Sequence, residues 1–112
     1  HPRGAGTFPR VLGRFVRERG WLSLEEAVRR MTSLPAWRLG LKDRGRIEVG
    51  FAADLVLFDP ATVIDNATFL DPFRLSTGIE ATWVNGVQVW NRDRPTGHRP
   101  GLALASLSTR RP

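Results

Sequence analysis

Apolar positions fall on two kinds of period along this chain, and the change between them divides it. Phe8, Val11, Leu12, Phe15 and Val16 follow the i, i+3, i+4, i+7, i+8 spacing of one helix stripe. Thr7 is expected as the N-cap of this helix, Pro9 falls within its first turn, and Gly20 is its natural stop. Leu24, Ala27, Val28 and Met31 form a second stripe. Ser23-Leu24-Glu25-Glu26 precedes it as a capping box: the Ser hydroxyl takes the Glu26 amide, and the Glu26 carboxylate reaches back. A short third helix is expected over 35–39, with Ser33 near its start and Gly40 ending it.

Beyond Gly40 the spacing shortens. Residues 46–49 (R-I-E-V) alternate between two glycines and predict a short strand. Residues 53–58 (A-D-L-V-L-F) form a continuous apolar strand closed by Asp59-Pro60. Residues 79–84 and 87–90 flank Asn85-Gly86, a strong hairpin signal because a type I′ turn needs positive φ at both central positions. Residues 61–78 predict an irregular connection, and 91–112 a loop or frayed tail.

Helices followed by strands imply an α+β arrangement of two layers, not an alternating β-α unit. Both long helices are amphipathic, and a sheet of about four strands leaves an edge and a face uncovered. The expectation is a molecule whose apolar surfaces were shaped to close on further strands.

Composition narrows the classes. The chain has 112 residues and is 41% apolar, so it is globular in type, with room for one ordinary domain or parts of two. No apolar run is long enough for a membrane span. The absence of Cys excludes disulfides, thiolate metal sites and a Cys nucleophile. The chain begins with His1 and no charged-then-apolar leader follows, so a cut piece or a mature product is expected.

Net charge is +6, and 16 of the 17 basic residues are Arg, with Lys42 the exception. Residues 1–46 carry 11 basic and 4 acidic groups, whereas 47–112 carry 6 and 7. A basic half could attract phosphates. However, no Lys/Arg run exceeds two residues and no nucleic-acid reading motif is present, so Arg14, Arg17, Arg19, Arg29 and Arg30 are expected to be solvated helix faces.

Few residue groupings suggest chemistry. The two histidines, His1 and His98, are far apart in sequence, and there is no H-x-H, H-E-x-x-H or Cys pair, so an isolated zinc site is not expected. No G-x-S-x-G frames a serine. Gly4-Ala5-Gly6 lacks the preceding strand and the third Gly of a phosphate loop. Glu25 and Glu26 diverge on a helix and do not pair for acid–base work. Asp54 is expected to accept backbone amides of the Gly50-Phe51-Ala52 turn. Trp21, Trp37, Trp83 and Trp90 are expected in core or inter-layer packing. Arg3, beside His1, offers a planar fork suited to a carboxylate.

Several strings are those of a known family. His1-Pro2-Arg3, Gly6-Thr7-Phe8-Pro9-Arg10-Val11-Leu12-Gly13, Met31-Thr32-Ser33-Leu34-Pro35-Ala36 and Leu39-Gly40-Leu41-Lys42-Asp43-Arg44-Gly45 resemble the N-acyl-D-amino-acid deacylases (D-aminoacylases). Gly50-Phe51-Ala52-Ala53-Asp54-Leu55-Val56-Leu57-Phe58-Asp59 resembles a signature of the wider amidohydrolase superfamily. Thr96-Gly97-His98-Arg99-Pro100-Gly101 continues the likeness, which covers about 1–101.

The resemblance implies a C-terminal fragment. Residues 1–44 would be closing helices of a (β/α)8 barrel, 45–101 strands of a small β-sandwich, and 102–112 a tail, with Leu102 standing where a basic residue is common. In such enzymes zinc activates a water that attacks the amide of an N-acyl-D-amino acid. The metal ligands and catalytic Asp would precede His1, leaving no catalytic or metal residue and no bound zinc in this chain. Arg3 matches a position near the substrate carboxylate, and His1 has a lesser part in the same loop. The implied setting is cytoplasmic, with no nucleic-acid or membrane partner, and the chain alone would be inactive and would self-associate. A cyclic amidase of the dihydropyrimidinase type and a non-catalytic interaction module are the competing expectations.

Overall fold

The structure, a computed structural model, describes residues 1–104; the rest of the expected tail lies outside the described residues. Three helices precede a four-stranded antiparallel meander in the order β1-β2-β3-β4, so the α+β expectation stands. Among the described residues no helix is long and apolar enough to cross a membrane.

Helix α1, Arg3–Arg10, begins five residues earlier than expected, with Pro2 in place of Thr7 at its N-cap position. Thr7 is therefore inside the helix, where its hydroxyl donates to the Arg3 carbonyl at 2.6 Å instead of capping. Pro9 is likewise internal, and its missing N–H leaves the Ala5 carbonyl without its helical donor. The coil widens directly afterwards into a π-helical segment, Val11–Glu18, in which the Arg19 amide reaches back five residues to the Arg14 carbonyl at 2.9 Å. Gly13 faces a neighbouring segment closely enough that a Cβ would stand 2.5 Å from the Val63 carbonyl.

Helix α2, Leu24–Met31, carries half of the expected box. Ser23 Oγ accepts the Glu26 amide at 3.2 Å. The Glu26 carboxylate does not return to the cap; it takes Arg29 at 2.7 and 3.0 Å and Arg30 at 2.6 Å. Two cations on the next turn outbid one backbone amide. Helix α3, Ser33–Arg38, follows at once, and Gly40 ends it at φ +70°.

Strand β1, Leu55–Phe58, pairs with β2, Ile79–Val84, which turns through Asn85 (φ 49°) and Gly86 (φ 78°) into β3, Val87–Asn91. Both central φ values are positive, as the Asn-Gly dipeptide requires. The fourth strand differs from expectation. Residues 46–49 are irregular, with Ile47 91% exposed, because no neighbouring strand pairs with them. Strand β4 is instead Arg94–Pro95, inside the stretch read as loop, paired with Trp90 and Asn91.

Burial is sparse. Leu12, Ala27, Ala36, Val63, Ala67 and Ala81 form the core, and Val63 is the only large side chain among the described residues to be fully buried. The Cα radius of gyration is 15.5 Å, against about 13 Å for a compact domain of this length. Two of the four Trp residues are not packed inside: Trp21 and Trp37 are exposed. Trp21 stacks on Phe15 at 5.2 Å, and Arg38 lies over Trp37 at 5.3 Å.

Candidate functional site

The first turn of α1 is built by its own flanking residues. His1 Nδ1 accepts the Arg3 amide at 3.1 Å, and the Pro2 carbonyl takes the Gly6 amide at 3.0 Å. His1 thereby satisfies a donor that a helix start leaves unpaired. Its ring meets Phe69 edge-on at 5.0 Å. Arg3 is exposed and makes no ion pair among the described residues. Both expected site residues line one cavity of about 380 Å³, together with Thr7, Arg10, Phe15, Asp65 and Phe69. One free guanidinium at the rim of a largely apolar hollow is suited to hold a carboxylate by two parallel hydrogen bonds.

Asp65 lies in the connection between β1 and β2, and its side chain is 3% exposed. It accepts Arg10 Nη1 at 2.8 Å and Arg14 Nε at 3.3 Å. Arg17 Nη1 donates to the carbonyls of Val63 (2.7 Å) and Pro60 (3.0 Å). The expectation that Arg14 and Arg17 are merely solvated is thus corrected: both anchor the helix to residues 60–65. Gly6 and Gly13 permit the close approach: Gly13 meets the Val63 and Ile64 backbone, and a Cβ on Gly6 would stand 2.9 Å from Asp65 Cβ. This seam was illegible in a stretch read as irregular. One signal was present, the period-two burial of Val63, Asp65 and Ala67, which puts a carboxylate among inward positions and so demands a cation.

Asp54 is structural, but by a different contact from the one expected. Its Oδ1 accepts the Asn85 amide at 2.8 Å, and its Oδ2 pairs with Arg44. Arg44 also donates to Asn85 Oδ1 at 2.8 Å, so the three residues fasten the hairpin turn to the preceding loop. Burial works to raise the Asp54 carboxyl, but the Asn85 amide and the Arg44 guanidinium outweigh it and hold the carboxyl below its ordinary range.

His98 is not brought to His1. Its Nδ1 stands 3.2 Å from Thr96 Oγ1 and 3.4 Å from the Gln88 carbonyl, at the β3–β4 end. Among the described residues no three His, Cys, Asp or Glu side chains gather as metal ligands. The residues present therefore do not fit a zinc centre.

Comparison with known proteins agrees with the likeness read from the strings. The chain is 54% identical over 105 residues to an N-acyl-D-aspartate deacylase of Alcaligenes xylosoxydans xylosoxydans. It is 51% identical over 105 residues to a D-aminoacylase of the same organism. Each alignment covers 94% of this chain, whereas the chain spans only about a fifth of either relative's length (21% and 22%). The fold superposes on a crystal structure of D-aminoacylase with a TM-score of 0.86 at 51% identity, covering 88% of this chain and 21% of that one. It superposes on the N-acyl-D-glutamate deacylase of Bordetella bronchiseptica, solved with zinc and a phosphonate inhibitor that mimics the tetrahedral intermediate, with a TM-score of 0.82 at 48% identity, covering 87% of this chain and 20% of that one. The family model described as "Amidohydrolase family" matches residues 1–90, and the chain belongs to that family.

Proposed function

We propose that this chain is the C-terminal part of a zinc-dependent hydrolase that cleaves the amide C–N bond of N-acyl-D-amino acids, with Arg3 holding the substrate α-carboxylate. The carrying observation is identity of 51–54% across 94% of the chain to relatives named N-acyl-D-aspartate deacylase and D-aminoacylase. Substrates with those names differ in the side chain and share the acylated nitrogen and the α-carboxylate. A single unpaired guanidinium suits the shared anion. His1 has the lesser part, setting the first turn so that Arg3 faces the cavity.

On this proposal 1–44 are closing helices of a (β/α)8 barrel, 45–101 are strands of a small sandwich, and 102–112 are a tail. Supporting it are the apolar side chains that α1 and the sheet leave uncovered, Phe8, Val56 and Leu57 among them. The zinc ligands would lie outside these residues, so none of the chemical steps is assigned to this chain. Arg10, Arg14, Arg17, Arg29, Arg30 and Arg44 are engaged within the molecule, which supports the absence of a nucleic-acid partner. The setting is cytoplasmic, without a membrane partner. Alone, the chain would self-associate through its uncovered apolar faces.

Two measurements test the proposal. The purified 112-residue chain, supplied with zinc, should neither retain the ion stoichiometrically nor hydrolyse N-acetyl-D-methionine; turnover with one zinc per chain would overturn the assignment of ligands elsewhere. In a complete deacylase whose sequence includes this chain, Arg3→Ala should raise KM for that substrate by about 10- to 100-fold, the value of a charge-assisted bidentate contact. An unchanged KM would remove Arg3 from the site.

A further inference from the structure

The helix that bears the side chain proposed to hold substrate packs against a segment more than fifty residues beyond Arg3 in sequence. The β1–β2 connection touches the helix bearing Arg3 at three levels. Phe69 meets His1, whose Nδ1 takes the Arg3 amide. Asp65 takes Arg10 and Arg14, about two and three turns beyond Arg3. The Val63 and Pro60 carbonyls take Arg17. Along this seam Gly6 lies against the Asp65 and Ala67 side chains and Gly13 against the Val63 and Ile64 backbone, so the helix has little freedom to slide or tilt without breaking an ion pair or opening a gap. Asp65 itself lines the cavity, with both oxygens already taken by Arg10 and Arg14.

We infer that the β1–β2 connection is a bracket that sets the position of Arg3, with Asp65 as a positioning residue acting through Arg10 and Arg14. This rests on Arg3 binding the substrate carboxylate. A guanidinium fork is useful only if both N–H groups meet both oxygens, and a displacement near 1 Å is enough to cost about a hundredfold. The bracket therefore matters for substrates that carry the carboxylate and little for those that lack it.

The test compares N-acetyl-D-methionine with N-acetyl-D-methioninamide, which keeps the scissile amide and loses the anion, using a complete deacylase that includes this chain. Arg3→Ala should abolish the preference for the acid. Asp65→Asn keeps the shape and removes the charge; it should lower kcat/KM about 30-fold on the acid and less than about threefold on the amide. Phe69→Leu, which leaves both ion pairs in place, should shift the preference in the same direction by about three- to tenfold, and it decides the matter if the Asp65 variant does not fold. Equal losses on both substrates, with Arg3→Ala still erasing the preference, would overturn the bracket and leave the role of Arg3 standing. An unchanged preference in Arg3→Ala would overturn both.

Discussion

Two contacts between the helical and the stranded parts of this molecule are built on opposite principles. The seam of α1 and the π-helical segment against residues 60–67 is closed: it combines glycines, a buried carboxylate and three arginines, and its polar groups find partners within the chain. The groove bounded by Phe8, Leu12, Val28, Met31, Val56 and Phe58 is open, apolar and about 310 Å³ in volume. Hydrogen bonds and ion pairs are directional and complete themselves locally, whereas apolar area is satisfied only by covering it. The closed seam fixes how the two parts meet. The open groove records surface that this chain does not cover.

The contrast can be broken from the seam side first. Gly13→Ala places a methyl group against the Val63 carbonyl and Ile64, and should cost about 3 kcal/mol in urea unfolding, the upper range for overpacking. A loss under about 0.5 kcal/mol would mean that the seam is not tight. Ser23→Ala removes the cap of α2 without touching either contact and should cost about 1 kcal/mol by the same measurement. Phe8→Ser should be nearly neutral for folding of the isolated chain, within about 0.5 kcal/mol, because the ring is already exposed. It should nonetheless weaken self-association measured by sedimentation; unchanged association would place the contact between copies elsewhere.

Acid gives the smallest effect and falls outside both contacts. The hydrogen bonds of Arg29 and then Arg30 lower the Glu26 carboxyl to about 2 from an ordinary 4.5. A carboxylate with a depressed folded value stabilises fully above its unfolded value, and that contribution disappears as pH falls toward the folded one. Helicity near 222 nm should therefore decline between pH 4.5 and pH 2. Glu26→Gln should flatten that decline, and a variant with the same acid profile as the parent would exclude Glu26 as its cause.

Elements whose partners lie within a turn or two were legible. The α2 stripe, the Ser23 cap and the Asn85-Gly86 hairpin depend on residues a few positions apart, and each formed as its spacing required, whereas the first stripe is helical but departs from the 3.6-residue period over Val11–Glu18, where the coil is π-helical. Thr7 misled because a good cap residue is also tolerated inside a helix once its hydroxyl bonds the carbonyl four residues back. The alternation at 46–49 misled because period two describes a strand only where another strand lies alongside. For the same reason Arg94–Pro95, with no pattern of its own, became β4 beside β3.

The candidate site divides in the same way. The string around His1 and Arg3 carried the family likeness, and the amphipathic stripes already required more surface than the chain could cover. Tertiary structure alone decided that Asp65 would meet Arg10 and Arg14, more than fifty residues distant, and that Phe69 would close on His1. Local order follows from near neighbours and backbone geometry, so it is written in short strings. Pairing across such distances depends on how the whole chain closes, and no window of sequence contains that information.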